Sequence, residues 1–183
     1  LGLSGIGSTM QVTVERVPSL DLATLGRAFA ARPLGALSPA DSVKTTIAGA
    51  ALAVRYSRPS MRGRVIFGSV VPWNRVWRTG ANAATTLETS ADLIMGGATI
   101  PAGQYSLWTI PAPSGWTLIV NRNTGQWGTE YDAKYDLARL EMKVERPAQP
   151  VEQFTIAIEP RDQAGVLKLE WERTRAWIAF STK

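Results

Sequence analysis

The chain has 183 residues and a net charge of +5, and it contains no cysteine and no histidine. A chain of this length fits one domain with room for an appended arm. The missing residue types exclude disulfides, thiolate metal sites, serine–histidine triads and histidine-bound zinc or copper within this sequence. We therefore expect no zinc, iron or copper and no cofactor.

No apolar stretch of the sequence is long enough to cross a bilayer, which takes about 20 residues. The longest such stretch is IAGAALAV, residues 47–54. The sequence begins at Leu1 without an initiator methionine. That beginning fits a cleaved export signal and an artificial boundary equally well.

Residues 1–33 predict an N-terminal arm with one strand and one short helix. Alternation in TMQVTVER, residues 9–16, predicts the strand. Residues 18–33, PSLDLATLGRAFAARP, predict the helix, with Ser19 as its N-cap. One face of this helix is apolar, and we interpret it as a partner-docking stripe of Leu22, Leu25 and Phe29.

Residues 34–183 predict an all-β domain. Residues 43–57 predict a hairpin, because Leu52, Val54 and Tyr56 alternate with Ala53, Arg55 and Ser57. Many short strands separated by glycine and proline turns are typical of an antiparallel β sandwich or jelly roll. The further strands are predicted at residues 84–90, 92–96, 104–110, 115–121, 137–145, 152–158, 166–172 and 175–181.

Residues 58–83 break the alternation and are rich in glycine, proline, arginine and tryptophan. A long irregular stretch inside a β domain is usually functional or a packed loop. Six arginines and no carboxylate lie between Arg55 and Arg78. Residues 1–80 carry ten basic and three acidic side chains, whereas residues 81–183 carry ten and twelve. This asymmetry predicts either an acidic partner or ion pairs within the chain.

Two interpretations of the arginines in this stretch stay open. Guanidinium groups bind carboxylates and phosphates in pairs of hydrogen bonds, which indicates an anion-binding or partner-binding site. Alternatively the arginines tie the stretch to backbone carbonyls and to the distant carboxylates Glu130, Asp132 and Asp136. We expect the inner members to be structural and the outer members to contact a partner. The arginines in question are Arg58, Arg62, Arg64 and Arg78.

Seven tryptophans are a high number for a chain of 183 residues. Those in predicted strands are expected in the core, where they pack with other apolar groups. These are Trp108, Trp116, Trp171 and Trp177. The tryptophans in predicted loops are candidates for a binding surface, on which an indole stacks against a sugar ring, or else for the core. They are Trp73, Trp77 and Trp127.

Other functions find less support in the sequence. No two carboxylates are recognisable as the acid–base pair of a glycosidase. Basic residues interleaved with Trp73 and Trp77 are compatible with a groove for nucleic acid, but no nucleic-acid-binding motif is present, so that partner is disfavoured. In TGAN, residues 79–82, the expected role of Asn82 is to hold backbone in a tight turn.

Three blocks of sequence carry a family resemblance: YSRPSMRGRVIFGSVVPWNRVWRTGANAAT (56–85), PAGQYSLWTIP (101–111) and NRNTGQWGTEYD (121–132). In order and spacing they resemble the bacterial domain-of-unknown-function 2911 family over residues 34–180. The resemblance implies a secreted or periplasmic β-rich protein and carries over no catalytic residue.

From these observations we expect a non-enzymatic, extracytoplasmic binding or scaffold domain. Its partner is expected to be a protein, and a membrane complex is one candidate. In this interpretation the chain is an extrinsic accessory subunit that stabilises a larger assembly, periplasmic or extracellular and peripheral to a membrane. The alternative is a carbohydrate-binding module or a weakly glycan-active enzyme.

Overall fold

The computed structural model describes residues 2–4, 11–13, 16, 18–31 and 37–183, with side chains for residues 16, 18–28, 30 and 37–183. The chain divides into two compact units, Leu1–Leu37 and Ser38–Lys183, whereas the sequence analysis places the boundary after residue 33. The first unit contains strands β1 (Gly2–Ser4) and β2 (Gln11–Thr13), which pair antiparallel, and helix α1 (Leu22–Ala31).

Helix α1 begins at a different cap from the predicted one. The Asp21 carboxylate accepts the amides of Ala23 (3.1 Å) and Thr24 (3.0 Å), which are two of the free amides of the first turn. The Thr24 hydroxyl also donates to Asp21, and these bonds hold the pKa of that carboxyl below its usual value. The prediction of Ser19 as N-cap is therefore wrong by two residues.

The second unit confirms the predicted all-β antiparallel class. It contains eleven strands, of which the three-residue β7 falls outside the predicted ones. The strands are β3 (Ala40–Ile47), β4 (Ala50–Ser57), β5 (Thr85–Thr89), β6 (Leu93–Met95), β7 (Ala98–Ile100), β8 (Gly103–Ala112), β9 (Gly115–Asn121), β10 (Asp136–Glu145), β11 (Val151–Arg161), β12 (Ala164–Glu172) and β13 (Thr174–Thr182).

Strand β10 joins two layers into one hydrogen-bonded sheet. The first layer has the order β3-β4-β5-β8-β9-β10, and the second has the order β10-β13-β12-β11. Strand β6 also pairs with β13, and β7 pairs with β6. Residues 136–142 of β10 pair with β9, while residues 143–145 pair with β13. The end strands β3 and β11 come close to each other, so the sandwich is nearly closed into a barrel.

The predicted hairpin at residues 43–57 is confirmed as β3 and β4. Its turn residues, Ala48 (φ 47°) and Gly49 (φ 83°), are both left-handed, which suits the right-handed twist of the two strands. Along β4 the side chains of Leu52, Val54 and Tyr56 are buried, as the alternation predicts.

The core between the layers includes side chains from the irregular connection between β4 and β5, residues 58–84, which we call segment 58–84. The Trp77 indole lies stacked on Trp171, with 5.9 Å between ring centroids and 18° between planes. It also meets the edge of Phe154 at 5.1 Å. Phe67 lies 4.8 Å from Trp116 and 5.9 Å from Trp73. We call these six rings the aromatic cluster.

Trp77 is therefore not a surface residue. Its side chain is only 7% exposed, and its Nε1 donates to the Gly80 carbonyl at 3.1 Å. The interpretation of Trp77 as a binding-surface candidate is wrong. Segment 58–84 has no regular period, so alternation carries no information about which of its side chains point inward.

Replacing Trp77 by alanine is expected to lower the free energy of unfolding by about 3–5 kcal/mol, because a large aromatic side chain leaves a cavity in a packed core. Replacing Trp127, which is 51% exposed, is the matched control and is expected to change it by less than about 0.5 kcal/mol. Urea unfolding of both variants checks this. Equal losses in the two variants would contradict the placement of Trp77.

Candidate functional site

Hydrogen bonds attach segment 58–84 to the beginning of β11. The Met61 amide donates to the Glu152 carbonyl (2.8 Å), and the Phe154 amide donates to the Pro59 carbonyl (2.9 Å). The Arg62 amide donates to the Glu152 carboxylate (2.9 Å). These bonds fix the backbone that carries the predicted arginines, so the segment is an ordered part of the domain.

Arg58 points inward and connects the two end strands of the sheet. Its Nη1 pairs with Asp41 on β3 (3.1 Å). On β11 its Nε donates to the Phe154 carbonyl (3.0 Å) and its Nη2 to the Thr155 hydroxyl (2.8 Å). The Tyr56 hydroxyl reinforces this seam by accepting the Ile156 amide (3.0 Å). Arg58 is thus a structural residue, as expected for an inner arginine.

Arg62 and Arg64 lie on either side of the loop tip. Arg64 folds back on its own loop and donates to the carbonyls of Met61 (2.9 Å) and Ser60 (2.8 Å). Arg62 is exposed, and its guanidinium has no hydrogen-bond partner among the described residues. Gly63 beside it has open space around the position of a Cβ atom. Arg62 therefore offers a cation to solvent.

Arg78 is half-buried on the other side of the segment. Its Nη1 donates to the Asn82 carbonyl (3.3 Å), and burial lowers the pKa of its guanidinium. A Cβ atom at Gly128 would overlap the Arg78 side chain. Asn82 holds backbone as predicted, since its Nδ2 donates to the Ser38 carbonyl (3.4 Å).

The predicted carboxylate partners bond to other groups. Asp132 pairs with Lys134 (2.7 Å), Asp136 pairs with Arg139 (2.9 Å), and Glu130 accepts the Trp127 amide (3.1 Å). The expectation that the four arginines bind these carboxylates is wrong for Arg58, whose carboxylate partner is Asp41. The β3–β4 register brings this pair together. Asp41 on β3 lies directly opposite Tyr56 on β4, and Arg58 follows two residues after Tyr56.

Residues 122–135 form a loop over the outer face of β8. Tyr131 packs against the buried Trp108, with ring centroids 5.1 Å apart, and donates to Asp136 (2.7 Å). Burial and then this hydrogen bond raise the pKa of Tyr131 to about 12. At the tip of the loop Trp127 is exposed, while Glu130 fixes its backbone. Trp127 remains a surface candidate, and Trp73 is half-buried against Phe67.

The sequence analysis misplaces Trp177. Its neighbours Ala176 and Ile178 are buried, so the alternation of β13 turns Trp177 to the outer face, where it is half-buried. Its Nε1 donates to Glu145 (2.8 Å), and the Lys143 ammonium lies over its ring, 5.0 Å from the centroid. A groove of about 310 Å³ lies alongside, lined by Glu145, Arg161, Val166, Lys168, Arg175 and Trp177.

The predicted docking stripe on α1 is exposed where it is described. Leu22 is 72% exposed and Leu25 is 50% exposed, and the preceding Leu20 is 57% exposed. The Phe29 side chain lies outside the described residues. Among the described residues, no helix has the length and apolar character needed to cross a membrane, and no three potential metal ligands gather in one group.

The fold and these sites define an antiparallel β-sandwich domain preceded by an arm. The model of the family described as "Protein of unknown function (DUF2911)" matches residues 38–180. The chain belongs to the DUF2911 family. No curated protein and no solved structure matches the chain.

Replacing Arg58 by alanine is expected to lower the free energy of unfolding by about 1–3 kcal/mol, because three acceptors on β3 and β11 lose a charged donor. Asp41 keeps 40% of its side-chain surface exposed, and its partial hydration keeps the loss below that of a fully buried pair. Arg62→Ala is the matched control, with an expected change under about 0.5 kcal/mol. Chemical unfolding that ranks Arg62→Ala as the more damaging change would refute the assignment.

Proposed function

We propose that the chain is a non-enzymatic, extracytoplasmic binding domain that serves as an extrinsic accessory subunit of a larger protein assembly. The family resemblance supports the extracytoplasmic location. The sequence supplies no histidine or cysteine for acid–base or nucleophilic chemistry, and this favours binding over catalysis.

The observation that carries the proposal is the exposed apolar face of α1. Leu22 and Leu25 lie one turn apart on a helix of ten residues, and a helix this short is marginal in water by itself. Each leucine gains about 1.5–3 kcal/mol when it moves from water into an apolar environment. An amphipathic helix of this kind fits an apolar groove on a partner protein.

The sandwich unit has a buried core of its own. Every described residue that is buried belongs to Ser38–Lys183, from Ile47 to Phe180. In this proposal the described leucines of the arm contact a partner. In the proposed arrangement α1 anchors the subunit, while the sandwich presents its loops and outer faces to the rest of the assembly.

The test is a pair of variants of α1 in the full chain, followed by native electrophoresis of extracts from the producing cell. Leu22→Gln with Leu25→Gln is expected to weaken the association at least about 100-fold, so that the chain runs free of the larger assembly. Arg27→Gln, a polar change on another face of the same helix, is the control and is expected to leave the assembly intact.

Thermal unfolding separates docking from folding in this test. The double variant is expected to melt at nearly the wild-type temperature if its leucines serve a partner. A wild-type chain that runs alone, or a double variant that stays in the assembly, would contradict the proposal. A large fall in melting temperature would instead assign the stripe to the chain's own core.

Carbohydrate binding is the second candidate, and the groove beside Trp177 favours it. The half-buried Trp177 indole lies next to one carboxylate and two guanidiniums in this groove, and groups of these kinds can hold a sugar ring. The groove of about 420 Å³ on the outer face of β3, β4 and β5 has no aromatic residue in its described lining. Glycan-array binding that disappears in Trp177→Ala would favour this candidate over the accessory subunit.

A further inference from the structure

The net charge of the sandwich unit is concentrated at one end. The loops at this end are segment 58–84, residues 146–150 and the turn Glu172–Arg173, and with the adjoining ends of β3 and β11 they form what we call the arginine end. Its carboxylates are Asp41, Glu152 and Glu172. Its seven basic residues are Arg58, Arg62, Arg64, Arg75, Arg78, Arg146 and Arg173.

The remaining charges of residues 38–183 cancel. Outside the arginine end this unit has ten basic and ten acidic side chains. When Glu145, Glu170 and Arg175 at the adjoining ends of β10, β12 and β13 are counted too, three of the four excess positive charges still belong to this end of the domain. A net charge on one surface attracts an oppositely charged partner over a distance of about the Debye length.

The strand register brings these loops together. The Phe67 amide reaches the Glu172 carboxylate (3.4 Å), beside Arg173. Strand β11 begins opposite Glu172. Strand β10 ends at Glu145, which pairs with Arg175 at the start of β13, so Arg146 follows at the same end.

A hydrogen bond between its neighbour Asn74 and β8 places Arg75 at this end. The amide of its neighbour Asn74 donates to the Pro111 carbonyl (2.8 Å), one residue before the end of β8. The rings of Trp73 and Phe67 stack and fix this part of segment 58–84 to the part that carries Arg62. The arginines thus come from three connections at one end of the sandwich.

The carboxylates at this end are already engaged within the domain. Asp41 pairs with Arg58, Glu152 accepts the Arg62 amide, and Glu172 accepts the Phe67 amide. Four exposed guanidiniums, by contrast, have no hydrogen-bond or ion-pair partner among the described residues. They are Arg62, Arg75, Arg146 and Arg173.

Two exposed aliphatic side chains lie next to arginines at this end. Val65, which follows Arg64, is 62% exposed, and Val76, which follows Arg75, is 37% exposed. The large exposed aromatic side chains of the sandwich unit, Trp127 and Tyr135, belong to the loop 122–135 instead. The arginine end thus presents guanidinium donors and small aliphatic tips without an exposed aromatic anchor.

This combination fits a layer of lipid phosphates better than a protein surface. A phosphate layer presents hydrogen-bond acceptors over a wide area, and guanidiniums supply only donors. Protein interfaces usually have aromatic anchors at their centre and mixed polar groups at the rim. Aliphatic tips flanked by cations are suited to the boundary between headgroups and acyl chains.

We propose that the arginine end docks the domain on an anionic lipid surface. Arg62, Arg75, Arg146 and Arg173 contact lipid phosphates, and Val65 and Val76 reach the headgroup boundary. The inference rests on the proposed accessory role and adds the surface on which the subunit lies. It does not use α1, so the two proposals can fail separately.

The test is sedimentation of the full chain with vesicles of phosphatidylglycerol and phosphatidylcholine, compared with phosphatidylcholine alone. Binding is expected only with the anionic vesicles and is expected to weaken as salt rises. Each arginine near such a surface contributes about fivefold in partitioning, so replacing all four by glutamine is expected to weaken binding about several hundredfold.

A matched control removes the same charge elsewhere. Lys44, Arg122, Arg161 and Lys183 are exposed and lie outside the arginine end, and their replacement by glutamine is expected to cost less than about tenfold. Equal losses in the two quadruple variants, or no binding of the wild-type chain to anionic vesicles, would overturn the inference. Binding to an acidic polypeptide but not to vesicles would assign this end to a protein and overturn it also.

The α1 variant separates this inference from the proposed function. Leu22→Gln with Leu25→Gln is expected to keep its vesicle binding even where it leaves the assembly. Loss of vesicle binding in that variant, with binding retained in the quadruple arginine variant, would place lipid contact on the arm and overturn the inference.

Discussion

The packing of Trp77 on Trp171 is the contact on which the rest of this architecture depends. Strands β3 and β11 lie at opposite ends of the hydrogen-bonded path, and a packed core lies between the two layers. Segment 58–84 forms part of that core, because Phe67, Trp73 and Trp77 meet Trp116, Phe154 and Trp171 in one aromatic cluster. A connection without regular secondary structure is thereby packed into the core, and its exposed residues flank this packed part.

This anchoring divides the arginines of the segment into two roles. Arg58 binds Asp41 on β3 and two groups on β11, so it connects the two end strands of the nearly closed sheet. Arg62 and Arg75 belong to the same segment but are exposed to solvent. The arginines of this segment have no acid close to them in sequence, and the structure accounts for this in two ways. Strand pairing brings Asp41 to Arg58. The guanidinium groups of Arg62 and Arg75 have no carboxylate partner among the described residues.

The sequence predicts most strands of the second unit, because alternation is strong wherever one face is buried, as at Leu52 and Val54. It does not predict β7, whose three residues are too few to show a period. It misplaces two tryptophans. Trp77 is buried but lies in a segment without a period, so no pattern shows that it points inward. Trp177 is expected in the core because it lies in a predicted strand, but its neighbours Ala176 and Ile178 take the inward positions. The pairing of Arg58 with Asp41 needs the β3–β4 register, and Asp21 displaces Ser19 as cap because its side chain reaches two free amides.

Native-state hydrogen exchange of the Trp77 amide tests the central claim most directly. This amide donates to the Thr109 carbonyl at 2.7 Å, and the Thr109 amide donates back at 2.9 Å. If segment 58–84 is part of the core, the Trp77 and Met61 amides exchange only with global unfolding, at the same free energy as the amides of Leu118 and Val120 in β9. Exchange of Trp77 and Met61 through local opening, while β9 stays protected, would contradict the account.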